Sequence, residues 1–129
     1  MPANIQVRVE PGSQLTIHTV TGTVTAEDII AALKQFYTHQ PTHRLLWDFR
    51  EVDLSPLSKQ HLMTILTVAR SYAHSRPNGK TAIVTSGSLA YGISRMFENY
   101  TEIYGHPVDH EVFKSYDDAL RWLCEGEEK

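Results

Sequence analysis

The chain has 129 residues, 41% of them hydrophobic and 21% charged, enough for one domain with a full core and no need of disulfide or metal staples. A net charge of −3 with scattered Lys and Arg lacks the dense basic field on which nucleic-acid binding rests. The single cysteine, Cys124, excludes an intramolecular disulfide and, with no secretory pattern in the first four residues, points to a reducing cytoplasm.

Ile5, Val7 and Val9 alternate with Gln6 and Arg8, the period of a half-covered strand. Pro11-Gly12 marks a turn, and the β-rich run from Leu15 through Val20 completes a hairpin. In that second run His18 alternates with apolar neighbours and is expected to face solvent. Thr25, with Glu27 and Asp28 behind it, caps a helix whose stripe is Ile29, Ile30, Leu33, Phe36 and Tyr37, and Pro41 stops it. Leu45-Leu46-Trp47-Asp48-Phe49 reads as a strand covered on both faces. Ser55-Pro56 suits a helix start, followed by the stripe Leu62, Ile65, Leu66, Ala69, Tyr72 and Ala73. This helix is the most apolar in the chain between Leu62 and Ala69, too short a stretch to cross a bilayer.

Thr81-Ala82-Ile83-Val84-Thr85 is the next buried strand. A third helix is expected to bury one face carrying Leu89, Ile93, Met96, Phe97, Tyr100 and Tyr104. Glu111 to Lys114 makes a short strand, and Ser115-Tyr116-Asp117-Asp118 caps a last helix that buries Ala119, Leu120, Trp122 and Leu123. The order β-β-α-β-α-β-α-β-α predicts an α/β fold, a single domain over 1–124 with a mixed five-stranded sheet flanked by helices, and a polar tail over 125–129. Trp47, Phe49, Leu66, Ile83, Val84, Phe97 and Leu120 are its expected core.

Seven histidines raise the question of a metal, but proline stands between His39 and His43, and Pro107 with the strand after it breaks any helix joining His106 and His110. No metal and no cofactor are expected. The basic stretch Arg70, His74, Arg76 and Lys80 reads as cations at the end of a helix, with a basic binding patch as the alternative. Ser86-Gly87-Ser88 follows a strand and opens a helix. It lacks the Gly-x-Ser-x-Gly pattern of a nucleophile elbow and the lysine of a P-loop, so it reads as a cap or as a site where an anion meets free backbone N–H groups. Asp48 interrupts an apolar strand near its carboxyl end. It either meets a ligand there or pairs with Arg50 and the turn beside it. Tyr91 falls off the main stripe of the third helix, free to line a pocket or an interface.

Three stretches carry a resemblance: Thr21-Gly22-Thr23-Val24-Thr25-Ala26-Glu27-Asp28, Leu45-Leu46-Trp47-Asp48-Phe49-Arg50, and Val112 through Leu123. Together with the element order they make the chain similar to the STAS family of anti-sigma-factor antagonists, and more narrowly to its SpoIIAA-like (STAS/SEC14-related) branch. The resemblance implies a non-catalytic module for protein or small-ligand recognition. Regulatory members of the family carry an Asp-Ser pair at the start of the second helix, where a partner kinase phosphorylates the serine. Here the stretch reads Asp53-Leu54-Ser55-Pro56-Leu57-Ser58 without that pair, so Ser55 and Ser58 are expected to be helix caps.

The function expected is that of a regulatory module acting through protein contacts as a homodimer. The alternative is a carrier or sensor of a small anionic, amphipathic or lipid-like ligand, and an enzyme ranks third. Any ligand is expected at Asp48, Arg50, Ser86, Gly87, Ser88 and Tyr91. A continuous cavity between the third helix and the sheet would favour the carrier, and a closed core with an exposed apolar patch would favour the protein partner.

Overall fold

The computed structural model describes residues 2–39 and 41–125. Strands β1 (Asn4–Glu10), β2 (Leu15–Thr23), β3 (Arg44–Asp53), β4 (Lys80–Thr85) and β5 (Asp109–Phe113) form one sheet in that order, β1 antiparallel and the rest parallel. Helices α1 (Ala26–Thr38), α2 (Lys59–Tyr72) and α3 (Ser88–Tyr104) make the crossovers, and α4 (Tyr116–Leu123) follows β5. Right-handed crossovers that always step the same way along a sheet leave their helices on one face. Accordingly α1, α2 and α3 cover one face over Val20, Leu45, Trp47, Phe49 and Ile83, while α4 covers Leu15, Ile17, Leu46, Ala82 and Val84 on the other. The predicted order of elements is the observed one.

Local chemistry sets the ends. Thr25 and Asp28 form a reciprocal capping box on α1, and Ser115 accepts the Asp118 N–H on α4. Gly22 sits at φ +85°, and a Cβ there would lie 2.5 Å from the Pro2 carbonyl, so only glycine lets the N-terminal segment bridge to Thr23. β3 runs on past Phe49 to Asp53, paired with β2 beyond a bulge between Thr19 and Thr21.

The structure corrects four readings. First, α2 does not start at Ser55-Pro56. The Asp53 carboxylate captures the Ser55 N–H at 2.9 Å in a local turn, and burying both Leu54 and Leu57 keeps the chain irregular through that turn. The cap is Ser58 alone, whose Oγ accepts the His61 N–H at 3.2 Å while His61 Nδ1 accepts the Ser58 N–H at 3.0 Å. Ser58→Ala should therefore lower stability by about 1 kcal/mol in urea titration, with Ser55→Ala costing a fraction of that.

Second, His18 does not face solvent. It is 2% exposed and stacks on Trp47 at 4.3 Å, because β2 is an interior strand and its polar alternates lie beneath α1. Third, α3 does not bury its large apolar stripe. It seats Ala90, Ser94, Glu98 and Thr101 inward, leaving Phe97, Ile93 and Tyr100 partly buried and Leu89, Met96 and Tyr104 exposed. The small side chains of Ala90 and Ser94 let this helix sit close against β5.

Fourth, Arg70 does lie in the last turn of α2, but Arg76 further along the stretch is buried and is neither a helix-end charge nor part of a surface patch. Of the expected core, Trp47, Phe49, Leu66, Ile83 and Val84 are buried, and Phe97 and Leu120 are partly so. Residues 126–129 of the expected polar tail lie outside the described residues.

Candidate functional site

Parallel pairing brings the carboxyl ends of β3, β4 and β5 side by side. The Ser86 hydroxyl donates to the Arg50 carbonyl at 2.8 Å, tying the first two together. That donation commits the Ser86 proton to a backbone acceptor and leaves it unlike a nucleophile paired with a base. Gly87 takes φ +86°, a conformation L side chains rarely adopt, and turns the chain into α3 with no side chain capping the helix. The first-turn N–H groups therefore face outward beside Ser88. Tyr91 lies one turn on, with Lys114 Nζ 4.5 Å from its ring centroid.

Thr85, Ser86, Gly87, Ser88, Tyr91 and Lys114 line one open dent. Thr85 is fully buried, and its Oγ1 finds no hydrogen-bond partner among the described residues. The residues expected at Ser86, Gly87, Ser88 and Tyr91 thus converge. The side chains of Asp48 and Arg50 do not join them, although the Arg50 carbonyl accepts from Ser86. Asp48 pairs in register with Val84 and shares its face toward α4, whereas Thr85 faces α3. They line a second dent with Thr19, Val20 and Glu51.

Arg50 holds Asp48 with two charge-assisted bonds, Nε to Oδ1 at 2.9 Å and Nη2 to Oδ2 at 2.8 Å, and its backbone N–H adds a third at 3.1 Å. Burial works to raise the Asp48 pKa, but the bonds from Arg50 outweigh it and hold the carboxyl below its ordinary value. The guanidinium also lies 4.7 Å from the Tyr116 ring centroid. Asp48 is thus a paired carboxylate, and it neutralises the Arg50 charge.

Beside the first dent, among the described residues, the cation without a carboxylate partner is Lys114, which the sequence places only at the end of a short strand. Its position was legible: a residue just past the last parallel strand must fall beside the end of β4.

Beneath the helices, a cavity of about 60 Å³ lies between α1, α2, α3 and the sheet, lined among others by Leu45, Trp47, Ile83, Ile93 and Phe97. Ser94 lines it too, its Oγ with no hydrogen-bond partner among the described residues. The volume suits a few small atoms, far below the roughly 300–1,000 Å³ of ordinary ligand pockets. At its edge Arg76 offers nothing to a ligand. It donates to the carbonyls of Thr42, His43 and Lys80 and to the hydroxyls of Tyr37 and Thr81, at 2.8 to 3.1 Å.

His106 and His110 do meet, their rings 4.6 Å apart, because the turn between them folds both inward. Each spends Nδ1 on the backbone of Val108, and no group of three metal-ligating side chains gathers among the described residues.

No protein-family model and no curated protein matches the chain. Solved structures do. One is an uncharacterized protein of the DUF3478 family with a SpoIIAA-like fold from Shewanella loihica PV-4, at TM-score 0.59 and 20% identity over 95% of this chain and 94% of that one. The chain has the SpoIIAA-like fold. A second solved structure, an anti-sigma factor antagonist from Mycobacterium paratuberculosis, aligns at TM-score 0.62 and 17% identity over 95% of both chains. The SpoIIAA-like fold expected from the three sequence stretches is therefore the observed one. Among the described residues, no helix is long and apolar enough to cross a membrane.

Proposed function

We propose that this chain is a non-catalytic regulatory module of the cytoplasm that binds a protein partner through α3. The carrying observation is the outward line Leu89, Met96 and Ile103, which are 55%, 40% and 70% exposed and recur every seventh residue. Such spacing lays an apolar seam along one side of a helix, the surface that a partner's amphipathic helix or groove covers. The dent at the head of the same helix extends the surface. Free N–H groups, Lys114 and the Thr85 hydroxyl suit a carboxylate or phosphate on the partner. The SpoIIAA-like fold of an anti-sigma factor antagonist is in keeping with this reading. The small interior cavity speaks against a lipid carrier.

The test is site-specific photo-cross-linking in the native cells. A cross-linker replacing Met96 should capture one discrete partner, and one replacing the exposed Asp118 on α4 should not. Ile103→Glu should abolish the adduct while leaving the circular dichroism spectrum unchanged. In parallel, inorganic phosphate at millimolar concentration should shift the amides of Ser88, Leu89 and Ala90, and Lys114→Ala should remove those shifts. Equal capture from both faces, or phosphate shifts confined to other elements, would overturn the reading.

A further inference from the structure

The two edges of the sheet are finished differently. At β5, α3 packs alongside the strand. At β1 nothing comparable happens. Among the described residues the strand pairs only with β2, and no helix packs extensively on it.

The strand also lacks the usual devices against edge pairing. Its register with β2 runs unbroken from Asn4 to Glu10, with no bulge, no lysine and no proline within it. Its charges, Arg8 and Glu10, neutralise each other at 2.8 Å. Val7 and Val9 are 55% and 50% exposed although they sit opposite the buried His18 and Thr16, on the face the three helices cover. The apolar face of the sheet therefore continues past α1 to an open margin.

We infer that β1 is the dimer edge of this protein, pairing antiparallel with β1 of a second copy about a two-fold axis at Val7. A second copy fits because the strand is complementary to itself in this register. Val7 meets its own counterpart and Ile5 meets Val9, placing apolar against apolar on the helix-covered face. On the other face Gln6 meets Arg8 and Asn4 meets Glu10, so no like charges stand directly opposite. All seven residues pair, and the two sheets join into one with their helical faces on the same side. The α3 seam is not involved, so this interface and a partner on α3 stand or fall separately.

Sedimentation velocity on the intact chain tests the assignment. The wild type should sediment at twice its 14.6 kDa mass at about 100 µM, as expected for a compact interface of micromolar affinity. Val7→Lys should weaken association about tenfold or more by setting like charges opposite each other across the axis. The exposed site leaves the fold intact, checked by an unchanged urea midpoint. A mixture of Val7→Lys and Val7→Glu chains should recover the dimer, since only the axial register places the two substituted positions face to face. A wild type that stays monomeric, or a dimer untouched by Val7→Lys, overturns the proposal.

Discussion

Arg76→Ala should destabilise the protein by about 3–5 kcal/mol, the range for removing one member of a buried charged hydrogen-bond network. Arg76 is 3% exposed and lies over the Phe36 ring at 5.2 Å. Its five bonds gather the segment before β3 (Thr42, His43), the start of β4 (Lys80, Thr81) and the end of α1 (Tyr37) at one point. Among the described residues no carboxylate balances the charge there. The guanidinium is instead solvated by carbonyl and hydroxyl dipoles, as water would solvate it. Truncation strands three carbonyls and opens a cavity against Phe36. Arg76→Lys should recover little, because one ammonium on a flexible stem cannot reproduce a planar fork that donates in five directions. Urea unfolding of the three proteins decides the matter. A loss under about 1 kcal/mol for alanine, or full rescue by lysine, would show that the network contributes packing alone.

That residue also shows where the sequence stops being legible. The order of strands and helices follows from local signals: Pro11-Gly12, the capping box at Thr25, the apolar runs at Leu45 and Thr81. A handedness rule then places the helices. What eludes such reasoning is set by neighbours distant in sequence. Arg76 looks like a helix-end cation until Thr42 and Tyr37 arrive 34 and 39 positions away. His18 looks like a solvent-facing alternate until β2 becomes an interior strand. The stripe on α3 looks like core because a hydrophobic face is by default the buried one. Here the inward line is Ala90, Ser94, Glu98 and Thr101, and the stripe divides between the half-buried Ile93, Phe97 and Tyr100 and the exposed Leu89, Met96 and Tyr104. The dent at Ser86–Ser88 was readable because a strand-to-helix turn with glycine has few geometries. The separation of Asp48 from it depended on the register of β3 against β4, which local patterns do not encode.

Acid should unfold this protein well before its carboxylates are protonated. Burial pulls the His18 pKa from 6.5 to about 4, and burial together with the neighbouring His106 pulls His110 to about 3. The unfolded chain takes up these protons near 6.5, while the folded protein resists them until far lower pH. The stability contributed by the neutral rings is therefore complete above about pH 6.5 and is lost as pH falls from there through the folded values.

Each group steepens the fall by up to about 1.4 kcal/mol per pH unit, so His18 and His110 together remove about 4 kcal/mol by pH 5. That is a large share of the 5–15 kcal/mol that holds a typical domain folded. His106, also lowered to about 4 but more open to water, adds less. Carboxyls bear on the same curve as well, and the exposed Asp53, lowered by its bonds from Ser55, behaves like Asp48. Asp48, with its pKa held down by Arg50, loses its contribution only below the ordinary carboxylate range, after the histidines have acted. Glu98 works the other way, since burial raises its pKa and its protonation favours the folded state as acid is added.

Urea titrations at pH 7, 6 and 5 should show stability dropping steeply across this interval. His18→Leu should make the drop shallower by about one proton's worth, because an aliphatic side chain beneath Phe36 and Trp47 has nothing to titrate. Stability that stays flat between pH 7 and 5, or a slope that His18→Leu leaves unchanged, would mean that the ring is reached by water in the folded state.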